Sequence, residues 1–238
     1  MTPRDLRRRA LALAGAALLA SALPPAPARA GTEDAVGAAD LLAALGDCRP
    51  VSRGSYRSDR GAPADIPVCG TRDVAFWTAD MDIDCDGRAG ARCNRRTDPD
   101  FRPTTAFRQS DGRYLSAETL PFVVVPRPSR LWDHRAYGVA GGSVVAVVHR
   151  DRVRYAVVGD TGPADIIGEA SYAAAKDLGL DPDPRAGGTG GGVTYIVFRN
   201  ARVNPVEDHR RAVTRGEALT RAFLRDSRRN EPEQTPAR

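Results

Sequence analysis

Lysine is almost absent from this chain: of 35 basic residues only Lys176 is not arginine. Histidine is scarce too, with His134, His149 and His209 far apart, and no C-x-x-C pair occurs. That pattern excludes the usual spacing of a structural zinc site. There is no G-x-S-x-G, which with those scattered histidines argues against a serine triad. The glycine-rich stretch from Asp181 to Gly192 (DPDPRAGGTGGG) lacks the Gly-Lys-Ser/Thr of a phosphate cradle and reads as a loop. No apolar run reaches the roughly 20 residues of an ordinary membrane span, and there are no internal repeats. Neither a metal nor a cofactor is expected.

The ends of the chain differ from its middle. Arg4 and Arg7-Arg8-Arg9 precede an apolar stretch from Ala10 to Leu23, and Ala28-Arg29-Ala30 follows two prolines. A basic start, a short apolar run and an A-x-A site predict a secretory signal peptide over 1–30. The domain of interest is then 31–207, and 208–238 is a basic segment with a weak amphipathic helix from Ala212 to Leu224 and a disordered tail. The formal charge of +5 belongs mostly to these ends, because residues 31–207 hold 22 basic and 24 acidic side chains. Nucleic-acid binding, which needs clustered positive charge on a folded face, is not expected. Nor is membrane association once the leader is removed. Four cysteines in an exported chain, Cys48, Cys69, Cys85 and Cys93, predict two disulfides. Three pairings are possible; Cys48–Cys69 with Cys85–Cys93 closes the shortest loops. A secreted, extracellular monomer is the expectation.

Val74 to Asp80 (VAFWTAD), Leu120 to Val125, Ser143 to His149, Val153 to Val158 and Val193 to Phe198 are strand candidates, rich in β-branched and aromatic residues. The third and fourth form a hairpin across Asp151-Arg152. Ala38 to Leu45 has a helical pattern, and 49–66, rich in Arg, Ser and Gly, reads as loop. Short strands with few helices argue for a mainly β single domain, a barrel or a sandwich.

Two constellations carry chemistry. In YAVVGDTGPADIIGEASYAAAKDLG (155–179), a strand ending at Val158 leads into a Gly159–Pro163 turn bearing Asp160. Ser171 then caps a helix, Tyr172 to Leu178, which Gly179 ends. Glu169 stands just before that helix, among Ile166, Ile167 and Ala170. Two carboxylates in unlike surroundings suit general acid and general base roles, Glu169 as the desolvated acid and Asp160 as the ionised base. Asp165 is a substitute base. The second constellation is Asp80, Asp82, Asp84 and Asp86, alternating so that all four face one side of an extended segment. Their mutual repulsion calls for a cation. A polycationic substrate, calcium (Asp82-x-Asp84-x-Asp86-Gly87 matches half an EF-hand loop) and a merely solvated loop are the alternatives, the first preferred. Trp77 is a candidate sugar platform. The single Asp160-Thr161-Gly162 lacks the second copy that an aspartic protease needs.

From Cys69 to Val203 the chain resembles the secreted bacterial form of the glycoside hydrolase family 75 chitosanases. The resemblance rests on MDIDCDG (81–87), Thr97-Asp98-Pro99, LPFVVVP (120–126), VVGDTGPADIIGEASYAAAKDLG (157–179) and GGVTYIVF (191–198). It implies Asp160 and Glu169 as the catalytic pair, chitosan as substrate and an inverting mechanism. The 157–179 block is also similar to the double-psi β-barrel of the rare lipoprotein A and expansin type, which implies a six-stranded barrel with Asp160 at the rim of a groove. Peptidoglycan cleavage and calcium-dependent carbohydrate binding without catalysis are the competing functions.

Overall fold

A computed structural model describes residues 36–230. The expected leader and its cleavage point, and residues 231–238, lie outside them. The elements are α1 (Ala38–Leu45), β1 (Pro50–Tyr56), β2 (Ile66–Gly70), β3 (Val74–Asp84), β4 (Phe122–Pro126), a 3₁₀ turn (His134–Tyr137), β5 (Ser143–His149), β6 (Arg152–Gly162), β7 (Glu169–Ser171), α2 (Tyr172–Leu178), β8 (Thr189–Arg202) and α3 (His209–Asn230). Strands β3, β7, β4, β6, β5 and β8 pair in that order, and β8 pairs back onto β3 to close a six-stranded barrel. The pairs β3–β7 and β4–β6 are parallel; the others are antiparallel. Of the barrel and the sandwich that the strand pattern allows, the barrel is present, with the six strands that the resemblance implies.

All six barrel strands send side chains into one enclosed core, among them Trp77, Met81, Val123, Val145, Val158, Ala170 and Tyr195. The opposite faces, with Phe76, Phe122, Val144, Val157 and Phe198, pack in a second cluster with residues of α1 and α3. Burial on both faces is why β4 and β5 read as unbroken apolar runs rather than alternating ones.

Local signals held where they were strong. Ser171 Oγ accepts from Ala174 N at 3.2 Å at the start of α2, and Gly179 ends that helix in the left-handed region. The β5–β6 hairpin is as expected. Cys48–Cys69 and Cys85–Cys93 are bonded, and no cysteine among the described residues is free.

Elsewhere the structure differs. Residues 50–56, inside the 49–66 stretch expected as loop, form an antiparallel ribbon with 66–70, because β2 adds to β3 at Phe76 and Ala75, beside the stretch that β7 occupies. The C-terminal helix begins before Ala212 and continues past Arg225 to Asn230. Ala212, Thr220 and Phe223 are buried along it. Gly216 lets it approach the barrel, since a Cβ there would stand 2.3 Å from the Tyr155 ring. Gly216→Ala is therefore expected to lower the melting temperature. Overpacking costs about 1–3 kcal/mol, against about 1 kcal/mol gained in helix propensity. Thermal unfolding followed by circular dichroism checks this.

Candidate active site

Asp160 reaches the site through a slip in register. Ala156 and Val158 point into the barrel core, and strict alternation would send residue 160 there as well. Instead Val123 pairs with Val158 while Val124 pairs with Asp160, leaving Gly159 as an extra residue. A one-residue insertion turns the following side chains to the other face. Gly159 is needed there, because a Cβ would lie 2.5 Å from Phe122 Cβ. So β6 does not stop at Val158 as expected, and Asp160 belongs to the strand rather than to a turn. Asp160 is 7% exposed, and its Oδ1 accepts from Ala106 N and Thr161 N, both at 2.7 Å. Burial raises its pKa. Those two donors and the Arg102 guanidinium oppose the rise.

Glu169 opens β7, a three-residue strand rather than a helix start. Ala170 points into the core, so Glu169 faces outward, in register with Asp82 of β3. Gly162 leaves room for it: a Cβ at 162 would stand 2.5 Å from Glu169 Oε2. The Glu169 carboxyl is half-buried and its pKa is pushed up to about 7, first by desolvation and then by Asp82, Asp86, Asp160 and Asp80. Both acids of this face are raised by burial, but the charged form is opposed by four neighbouring carboxylates at Glu169 and supported by donors at Asp160.

The four aspartates divide into two pairs. Asp80, Asp82 and Asp84 lie on β3, which runs on through Asp84 instead of stopping at Asp80. Asp86 follows the strand end. Asp84 Oδ1 accepts from Asp86 N at 2.6 Å, and Asp86 Oδ1 from Arg102 N at 2.7 Å, so these two organise the turn. Burial pushes Asp84 well above the usual carboxylate range, with Asp86 and Asp160 adding to it, and Asp86 up to about 6. Asp80, 6% exposed, is pushed up to about 7, by burial first and then by Asp82; Asp82 is also raised, by burial and by Asp59. An EF-hand-like calcium loop is not formed, because Asp82 and Asp84 are on an extended strand and do not converge on one point. The carboxylates that do converge are Asp59, Asp80 and Asp82, with oxygens within 4.8 Å of one another.

Trp77 is not available as a sugar platform. It points into the barrel core, 1% exposed, stacked on Tyr195 with ring centroids 5.4 Å apart. Its place on β3 has the opposite parity to the aspartates, so the strand that presents the acids must bury the indole. Trp132 is likewise core. Asp165 is exposed. Sequence reasoning missed Asp59, which stands in an unremarkable Asp-Arg-Gly turn, and the 102–106 strip that serves Asp160 and Asp86. A backbone N–H such as that of Ala106 has no signature in sequence.

The family described as fungal chitosanase of glycosyl hydrolase group 75 matches residues 81–222. Endo-chitosanase C of Aspergillus oryzae is 33% identical over 127 residues, 51% of this chain and 30% of that protein. Endo-chitosanase B of the same species is 31% identical over 126 residues, 50% and 52% of the two chains. An endo-chitosanase of Aspergillus fumigatus is 29% identical over 143 residues, 55% and 60%. The chain thus spans less than two thirds of the length of each of these relatives. The matched stretch contains both acids of the outer face and Asp82, Asp84 and Asp86, while Asp59 and Asp80 precede it.

Proposed function

The chain belongs to the chitosanase family of glycosyl hydrolase group 75, and from that premise we propose that it hydrolyses the β-1,4 bonds between glucosamine units of chitosan. Glu169 protonates the leaving glycosidic oxygen, and Asp160 takes the proton of the attacking water. The observation that carries this reading is the contrast across one face of the barrel. Burial raises both, but Glu169 is pushed up to about 7 with four carboxylates adding to the rise, whereas two backbone donors and Arg102 counter it at Asp160. Asp80, Asp82, Asp84 and Asp86 supply the negative wall along which a polycationic sugar chain lies. A neutral or anionic wall polymer has no use for such a wall, which favours chitosan over peptidoglycan.

The mechanism we propose is inverting, as the resemblance to the family 75 chitosanases from Cys69 to Val203 implies. Proton NMR of the first product reports it through the anomeric configuration. The protein acts outside the cell in this reading, since two disulfides suit an oxidising compartment. The test of the reaction is release of reducing ends from chitosan, chitin, cellulose and peptidoglycan. Chitosan alone should be cleaved well, and more slowly as it is acetylated. Failure on chitosan with cleavage of peptidoglycan would replace this reading by its competitor. Added salt should raise KM severalfold with little change in kcat, since exposed charge contacts are screened over about 10 Å at 0.1 M. A salt-independent KM would remove the acidic wall from substrate binding.

A further inference from the structure

Asp59 sits in the turn after β1, and the backbone carries it to the face that bears Glu169. Arg57 bridges Ile166: its N–H donates to Asp165 O, and its carbonyl accepts from Ile167 N, each at 3.0 Å. This fastens the turn to the segment that runs directly into β7. Carboxylate oxygens of Asp59, Asp80 and Asp82 then lie within 4.8 Å of one another. Asp80 forms the floor, 6% exposed, with an Oδ1 that has no hydrogen-bond partner. Asp59 and Asp82 are exposed walls, and Asp82 is the register neighbour of Glu169. Among the described residues no ion pair engages any of the three. A buried acceptor without a donor and three like charges without a counter-charge are both unfavourable, and a single bound cation relieves both.

We propose that Asp59, Asp80 and Asp82 form a pocket for one glucosamine ammonium group beside the catalytic pair, which makes Asp59 a determinant of specificity for deacetylated sugar. The proposal rests on the chitosan reading above and deepens it. An alkylammonium group has three N–H donors and no acceptor, so three carboxylates give it one acceptor per donor. Charge-assisted bonds of about 2.8 Å directed tetrahedrally from nitrogen place their acceptors about 4.6 Å apart, within the spread observed here. Calcium would require six to eight oxygens at about 2.4 Å, whereas this pocket brings together three carboxylates, two of them on an open surface. An N-acetyl group presents one N–H, a carbonyl oxygen and a methyl, and leaves acidic oxygens facing groups that cannot donate. The raised pKa of Asp80 fits a floor that holds a proton until a cation displaces it.

The test uses the Glu169→Gln protein, so that ligand is bound without turnover, with and without Asp59→Asn. Calorimetric titration with a fully deacetylated glucosamine hexasaccharide should show binding about tenfold weaker when Asp59 is neutralised. Binding of the N-acetylated hexasaccharide should not change, and the melting temperature should not fall, since Asp59 is exposed and its neutralisation removes a like charge beside Asp80 and Asp82. Equal affinity for the deacetylated ligand in both proteins would overturn the pocket, while chitosan hydrolysis by the unaltered enzyme would leave the proposed function standing. Titration with calcium chloride separates the other cation: calcium binding that depends on Asp59 and does not compete with the hexasaccharide would overturn the ammonium assignment. An unaltered enzyme that neither cleaves nor binds chitosan would overturn the functional reading itself, and this inference with it.

Discussion

Glu169→Gln and Asp160→Asn are each expected to slow release of reducing ends from chitosan by about 10²–10⁴-fold, with the native circular-dichroism spectrum retained. Glutamine fills the glutamate's space against Gly162 but has no transferable proton. Asparagine keeps a carbonyl oxygen for Ala106 N and Thr161 N, so the strip over Asp160 remains in place while the base is lost. The two proteins should also differ in their pH dependence. A general acid pushed up to about 7 makes activity fall as pH rises past that value, and the Glu169→Gln protein should lose this limb from whatever residual rate it retains. The acid limb, set by protonation of Asp160, should persist in it. Near-native turnover by either variant would sink the assignment of that residue, and loss of the folded spectrum would mark it as structural.

The free protein should become less stable as pH rises from about 5 to about 8, unlike proteins whose carboxylates are paired. Glu169 is raised from 4.5 to about 7, Asp80 from 3.8 to about 7 and Asp86 from 3.8 to about 6, in each case chiefly by desolvation. Between the unfolded and folded pKa values the native state holds protons that the unfolded chain has released. Stability therefore declines with pH in that window. These contributions are complete below the unfolded values and gone once pH passes through the folded ones. Asp111 and Asp133, held low by Arg113 and Arg135, act in the opposite sense below their ordinary values, which places the optimum in mild acid. Melting curves across this range should show the decline. Asp80→Asn and Asp86→Asn should each flatten it, and at neutral pH a deacetylated oligosaccharide should raise the melting temperature. A flat or rising profile between pH 5 and 7 would contradict the crowded, unneutralised carboxylates.

Some of this was legible in the residues because the signals act within a few positions. Ser171 and Gly179 bound α2 by capping a backbone that no distant contact need assist. Two disulfides were legible from the four cysteines, and of the three possible pairings the structure has the one with the shortest loops; alternation in Asp80-x-Asp82-x-Asp84 places three carboxylates on one side of any extended strand. β5 was visible in full as an apolar run, whereas β8 runs from Thr189 to Arg202, past the expected Val193–Phe198 at both ends and into the glycine-rich stretch expected as loop. Asp160 and Glu169 could be singled out as candidate acids, and the structure brings both to one outer face of the barrel.

The tertiary structure decided which face each residue occupies, since facing depends on register and closure rather than on composition. One extra residue at Gly159 turns Asp160 out of the barrel core, and no property of Gly-Asp-Thr-Gly specifies that slip without β4 beside it. Trp77 looks like an exposed aromatic beside an acidic stretch, yet the parity that exposes Asp82 buries it against Tyr195. The Arg-, Ser- and Gly-rich residues of β1 form a strand because the edge of β2 is available to pair with. Asp59 joins Asp80 and Asp82 through a single bridge to Ile166, across a separation in sequence that no local pattern can span.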